Sequence, residues 1–198
     1  EPRGTWSPKS VMRGRNVLIV GTGPSVEKYR TAIEAFIEDN QFYVIALNTQ
    51  RNLRDDLIDA RAACHPVRLL ADSETHIKLP QPLITPVSML PENLRTEFDG
   101  KTLLDFGLGI ETGQFAFYDT YCVAPSSLVL AYALAVASSG KAANILMAGF
   151  DGYERGDMRN DEVETMFAIF GTSGAQQTIC SLTPTRYKGL PTRSIYAM

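Results

Sequence analysis

The chain is poor in the residues that build metal and redox centres. It has 2 histidines, His65 and His76, and 3 cysteines among 198 residues. Two histidines far apart argue against a multi-histidine metal site, and none is expected. Cys64, Cys122 and Cys180 have no metal-ligand spacing. An odd, scattered set suits a reducing, cytoplasmic compartment, where cysteines serve as small buried hydrophobes. Long apolar runs are missing too. The longest, Leu128 to Ala137, is too short for a membrane span and carries Tyr132, and no signal-peptide pattern is visible. With a net charge of −3 and no basic stripe, the chain has little to offer a nucleic acid.

What remains is the composition of a globular protein, 44% hydrophobic and 21% charged. This length fits one domain. Residues 1–14, polar and opening Glu-Pro-Arg-Gly, read as a linker-like lead-in, as for a domain excised from a longer parent. Residues 15–198 read as the domain, with an irregular, aromatic-rich insert at about 99–124.

Periodicity sets the elements. Val17–Val20 reads as a buried strand, and Phe42–Leu47 as a second, ending at Asn48. Ala60–Cys64 reads as a short third strand, and Leu83-Ile84 as an extended path. Asn144–Ala148 and Thr178–Leu182 supply the later strands. Tyr29, Ile33, Phe36 and Ile37 recur at helical spacing, and Leu128–Ala137 forms a strong helix. Helical segments are also read at 51–59, 67–74, 91–98 and 161–170. Alternating strands and helices predict a three-layer α/β, Rossmann-like fold: a mostly parallel sheet with helices on both faces. Ligands of such sheets bind at the carboxyl ends of strands, here loops 21–25, 48–52, 65–66 and 149–153.

The first of these loops, Gly21-Thr22-Gly23-Pro24-Ser25, carries the strongest signal. Two glycines admit a close backbone approach, Pro24 suits a first helical position and Ser25 adds a hydroxyl. Amides at a helix start favour an anion. The dinucleotide fingerprint would continue with a third glycine and an acidic residue at the second strand's end. Val26 and Asn48 stand at those places, which disfavours an NAD-dependent oxidoreductase. The Lys-Ser/Thr ending of a phosphate-binding ATPase loop and the Gly-x-Ser-x-Gly elbow of a hydrolase are absent.

Gly21 to Ser25 after a strand resembles the Gly-Asn-Gly-Pro-Ser motif of family 42 bacterial sialyltransferases. Asn48 matches an asparagine that contacts the CMP moiety there. The stretch PSSLVLAYALAVASSGKAANILMAGFDGYE, residues 125–154, is similar to their helix-strand segment, with Gly149-Phe150-Asp151-Gly152-Tyr153 in place of a Gly-Ile-Asp-Phe-Tyr-like run. The same blocks recur in domains of surface-polysaccharide pathways. Some of these follow an aldolase of the HMG-CoA-lyase type, labelled 4-hydroxy-2-oxovalerate aldolase. The resemblance covers about half the chain. It implies a CMP or CMP-sugar ligand held by Gly21, Thr22, Gly23, Pro24, Ser25 and Asn48, with Ser126, Ser127, Gly149 and Asp151 lining the site.

The chain departs from that pattern. Thr22 replaces the loop asparagine, and no histidine follows His76, whereas these enzymes use a downstream histidine as general base. Tyrosines that contact the leaving phosphate there have candidates in Tyr153, Tyr187 and Tyr196. His65, after the third strand, is the one histidine placed to act as a base. Three functions follow as expectations. The first is glycosyl transfer from a nucleotide sugar or binding of another small anionic ligand. The second is a non-catalytic docking, sensing or homo-oligomerising domain attached to an upstream aldolase domain. The third is NAD chemistry.

Overall fold

Four consecutive apolar residues form the first strand because both its faces are covered. Strand β1 (Val17–Val20) sends Val17 and Ile19 to one face and Leu18 and Val20 to the other, and all four are buried. The computed structural model describes residues 1–195. After β1 come β2 (Tyr43–Leu47), β3 (Ala60–Ala62), β4 (Leu83–Thr85) and β5 (Leu103–Asp105). Then follow β6 (Gly107–Ile110), β7 (Ala116–Phe117), β8 (Tyr121–Ala124), β9 (Asn144–Ala148) and β10 (Thr178–Ser181). Seven of them form one sheet in the order β10-β9-β1-β2-β3-β4-β5, parallel throughout. The chain winds outward from β1 to β5, then returns to place β9 on the other side of β1. The switch point of the sheet therefore lies between β1 and β9, and ligands of open α/β sheets bind at such a point.

The helices are α1 (Lys9–Met12), α2 (Ser25–Lys28), α3 (Arg30–Asn40), α4 (Pro66–Ala71), α5 (Ser73–Lys78), α6 (Glu92–Glu97), α7 (Val129–Ser139) and α8 (Met158–Thr172). Ile33, Phe36 and Ile37 of α3 cover Leu18, Val20, Val44 and Ala46. Leu69 and Leu94, from α4 and α6, pack with Leu83 in a smaller cluster. On the other face α7 is buried from Leu130 to Ser139. α7 is apolar or small on every side because the central sheet, at β2 and β3, and the second sheet, at β7 and β8, both pack against it. The architecture is a three-layer, Rossmann-like α/β fold.

Two stretches are more ordered than their composition suggests. In the lead-in, the amides of Thr5 and Trp6 both donate to the Asp105 carbonyl at 2.9 Å. Trp6 meets Phe106 edge-on at 6.4 Å, and Met12 is completely buried. Residues 1–14 are thus packed against the domain by three apolar side chains, Trp6, Val11 and Met12, set among polar ones. The segment 99–124 supplies β5, which extends the central sheet, and a second sheet in the order β6-β8-β7. Part of its aromatic set is core: Phe106 and Phe115 are buried, and Phe115 meets Phe170 edge-on at 5.3 Å, whereas Tyr118 is exposed.

Candidate functional site

A cleft of about 490 Å³ opens at the switch point. That is within the range of small-molecule sites, about 300–1,000 Å³. The loops after β1 and β9 form its floor. Asn48, His65 and Arg68 line it from beyond β2 and β3, and Ser127 to Leu130 line it from the start of α7. The structure brings together Gly21, Thr22, Gly23, Pro24, Asn48, His65, Ser127, Gly149 and Asp151 of the expected set. Ser25 and Ser126 are not on this wall. Ser25 is buried beneath it, and Ser126 lines a neighbouring cavity.

The glycine corner is not an open anion seat. The Gly21 amide donates to the Ala148 carbonyl at 2.8 Å, and that of Gly23 to the Gly149 carbonyl at 2.9 Å. The Ser25 amide donates to Asp151 Oδ1 at 3.2 Å, and the Ser25 hydroxyl to Asp151 Oδ2 at 2.8 Å. A Cβ on Gly23 would lie 1.9 Å from Asp151 Oδ2. The expected phosphate position is thus filled by the protein's own carboxylate. The expected helix is also broken: α2 ends at Lys28, and Tyr29 (φ −108°, ψ 18°) separates it from α3. One turn carries little of the macrodipole that attracts anions.

Val26 explains the missing third glycine. In the dinucleotide fingerprint that glycine allows close packing of helix against strand. Here Val26 is fully buried, and the smallness lies opposite it. Gly149, at φ +81°, would place a Cβ 2.3 Å from Val26 Cγ2.

A different helix end faces the cleft. The capping position of α7 is Leu128, which has no side-chain oxygen, and no side chain caps the helix. The first intrahelical bond runs from the Tyr132 amide to the Leu128 carbonyl, so the amides before it are free of the helix ladder. Ser126 Oγ accepts from the Leu128 amide at 3.4 Å, a local turn outside the helix, and the Ser127 carbonyl accepts from Cys64 Sγ. Tyr187, 6% exposed, lines the same cleft, and its hydroxyl has no hydrogen bond among the described residues. Burial, helped by the neighbouring Tyr153 and Glu164, pushes this phenol up to about 12. It therefore stays a protonated donor throughout the neutral range.

The loop after β9 is held from behind. Gly149 donates to Thr183 Oγ1, Thr185 Oγ1 donates to the Phe150 carbonyl, and the Arg186 amide donates to that of Asp151. Asn160 accepts from the Tyr153 amide at 2.9 Å, and the Arg159 guanidinium lies 3.9 Å from the Tyr153 ring centre. Tyr153 is therefore fixed at the rim. Tyr196 lies outside the described residues.

On the opposite wall, Asn48 adopts the left-handed conformation, at φ +51°. It is backed by Arg61, 1% exposed, which no sequence signal marked. The Arg61 guanidinium donates to the Asn48 and Gln50 carbonyls, to Gln81 Oε1 at 2.7 Å and to Asp55 Oδ1 at 3.3 Å. Asp55, more than half exposed, thus anchors one edge of this network and also accepts from Gln81 Nε2, and Asp59 accepts from the Val44 amide at 2.7 Å. Burial lowers the Arg61 pKa from its ordinary range, and Asp55 opposes that shift. His65 flanks α4, exposed in the cleft wall, with Arg68 one turn on. Arg68 places a positive charge on this side of the cleft.

Among the described residues no group of three or more His, Cys, Asp or Glu is placed to hold a metal ion, and no helix is long and apolar enough to cross a membrane. A scan against protein-family models finds no matching family, and a search of curated proteins finds no match.

Proposed function

We propose that the cleft binds a nucleotide or nucleotide sugar of the CMP type, and that the domain belongs to a bacterial surface-polysaccharide pathway as a glycosyltransferase of sialyltransferase type. One observation carries the reading: at the switch point, the uncapped start of α7 and the Tyr187 hydroxyl line the same cleft. They offer donors to a phosphate that the glycine corner, holding Asp151, would repel. Thr22 and the backbone of Gly21 to Pro24 then border the nucleoside, and Asn48 offers an amide to base or sugar. The resemblance of residues 21–25, 48 and 125–154 to family 42 sialyltransferases supports the same ligand class. Asn48 in place of an acidic residue and Val26 in place of glycine count against NAD.

The test is thermal shift with CMP, CDP, UDP, NAD and ATP, each at a large excess. Selective stabilisation by the cytidine nucleotides is expected, about 2.7 kcal/mol at a hundredfold excess over Kd. Asn48→Gly should abolish it while melting normally, because glycine keeps the left-handed backbone and removes only the amide. No shift with any nucleotide refutes the proposal. A non-catalytic docking domain attached to an aldolase is then the better reading, favoured by the chain's lack of any histidine after His76.

A further inference from the structure

Tyr187 sits on a stretch with no regular structure of its own. Residues 182–190 form neither helix nor strand, so the place of its hydroxyl depends on single contacts. Two of these are long: the Tyr187 amide donates to Thr185 Oγ1 at 3.2 Å, and its carbonyl accepts from the Leu190 amide at 3.3 Å. The ring meets Phe167 of α8 edge-on at 5.8 Å. The short ties come from the same helix. Glu164 Oε1 accepts from the Lys188 amide at 2.5 Å, and Oε2 from the Gly189 amide at 3.0 Å. Glu164 and Phe167 are three apart on α8 and share a face. A Cβ on Gly189 would lie 3.1 Å from Glu164 Oε2 and from Phe167 Cβ, so the turn rests closely on the helix.

Stability does not require this arrangement. Lys188 and Gly189 are exposed, and water would serve their amides nearly as well. Water would not fix where the turn sits. Bonds to a charged acceptor are shorter and stronger than neutral ones, and α8, with Val163, Met166, Phe167 and Phe170 buried, is a firm anchor. Glu164 is half-buried and does not line the cleft, although Glu162 and Val163 beside it do.

We infer that Glu164 is a positioning residue of the cleft: it pins the turn after Tyr187 to α8 and so aims the Tyr187 hydroxyl at the phosphate of a bound nucleotide. The inference rests on the reading of the cleft as a nucleotide site. Because Glu164 stands outside the cleft, its whole effect on binding passes through Tyr187.

The test is calorimetry with CMP on Glu164→Ala and Glu164→Gln, each made in the wild type and in Tyr187→Phe. Glu164→Ala should weaken CMP binding about fivefold to tenfold, bounded above by the loss of the hydroxyl itself, about tenfold. Glutamine keeps the shape and one acceptor of two, and should weaken it about threefold. Its shape carries the test if the alanine variant does not fold. In Tyr187→Phe neither change should alter CMP binding by more than about 1.5-fold, since no hydroxyl is left to aim. A general role in folding would weaken binding alike in both backgrounds, so equal losses overturn the inference. Unchanged CMP binding in both Glu164 variants overturns it, as does a Tyr187→Phe protein that binds CMP like the wild type. These outcomes leave nucleotide binding itself standing. A wild type that does not bind CMP sinks the reading of the main cleft, and the inference with it.

Discussion

Asp151 sets the shape of the glycine corner, and its removal gives a measurable loss. The carboxylate accepts two hydrogen bonds from Ser25, one from the amide and one from the hydroxyl. Hydrogen bonds to a charged group contribute about 1.5–3 kcal/mol each. Asp151 is partly exposed, so the lower end applies and the pair is worth about 3 kcal/mol. In a domain of this length each kcal/mol moves Tm by about 2–4 °C. Asp151→Ala should therefore melt about 6–12 °C below the wild type. Ser25→Ala loses only the hydroxyl contact and should cost about 1.5 kcal/mol. Urea unfolding of the two single variants and the double variant closes a cycle, with an expected coupling of about 1 kcal/mol or more. Additive losses, within about 0.3 kcal/mol, would show that the carboxylate does not hold the corner and that an external anion is free to enter it.

Other perturbations have outcomes fixed by the same geometry. Gly23→Ala drives a Cβ into Asp151 Oδ2 and should destabilise by about 1–3 kcal/mol, measured by urea unfolding. Arg61→Met leaves the Asn48 and Gln50 carbonyls, Gln81 and Asp55 without their shared donor. A loss of about 1–3 kcal/mol is expected in the same assay, from the orphaned carbonyls and Gln81, since Asp55 stays open to water. Tyr187→Phe keeps the buried ring, so Tm should hold within about 2 °C, while calorimetry should show CMP binding about tenfold weaker. His76 is 1% exposed, and burial lowers its pKa to about 4, with Asp72 opposing the shift and Arg61 and Lys101 adding to it. The folded state thus keeps it neutral, while the unfolded chain protonates it near pH 6.5. Its contribution is complete above about pH 6.5 and is lost as pH falls toward 4, at about 1.4 kcal/mol per unit. Between pH 7 and 4.5, His76→Leu should lose about 2 kcal/mol less than the wild type.

Six strands of the central sheet were legible, β1, β2 and β9 most clearly as short apolar runs that stop at glycine or asparagine, and α3 and α7 carry clear helical spacing; β5, inside the segment read as irregular, was not. The small sheet was not. Its strands are only two to four residues long and one, Gly-Leu-Gly-Ile, is half glycine, while Ala116–Phe117 is held by pairing with a strand elsewhere in the segment. The lead-in hid its role because Trp6 and Met12 find their partners about a hundred residues away or more, at Phe106 and Gly140. The rule that loops after parallel strands bind ligands located the cleft. Which groups stay open within it could not be seen, since Asp151 and Ser25 are 126 positions apart. Arg61 was equally hidden: a charged residue in a three-residue strand looks exposed until Gln81 and Asp55 enclose it.

Exchanging the glycine of one loop for that of another has a cost in independence. Where the fingerprint keeps all its small residues together, the turn is self-sufficient and a neighbouring strand can vary around it. Here Val26 fits only because Gly149 recedes, so the two segments form a single interlocking joint. Enlarging position 149 would wedge α2 away from β1. Trimming position 26 would leave a hollow under the floor of the cleft. Substitutions at either position therefore have to be made in pairs.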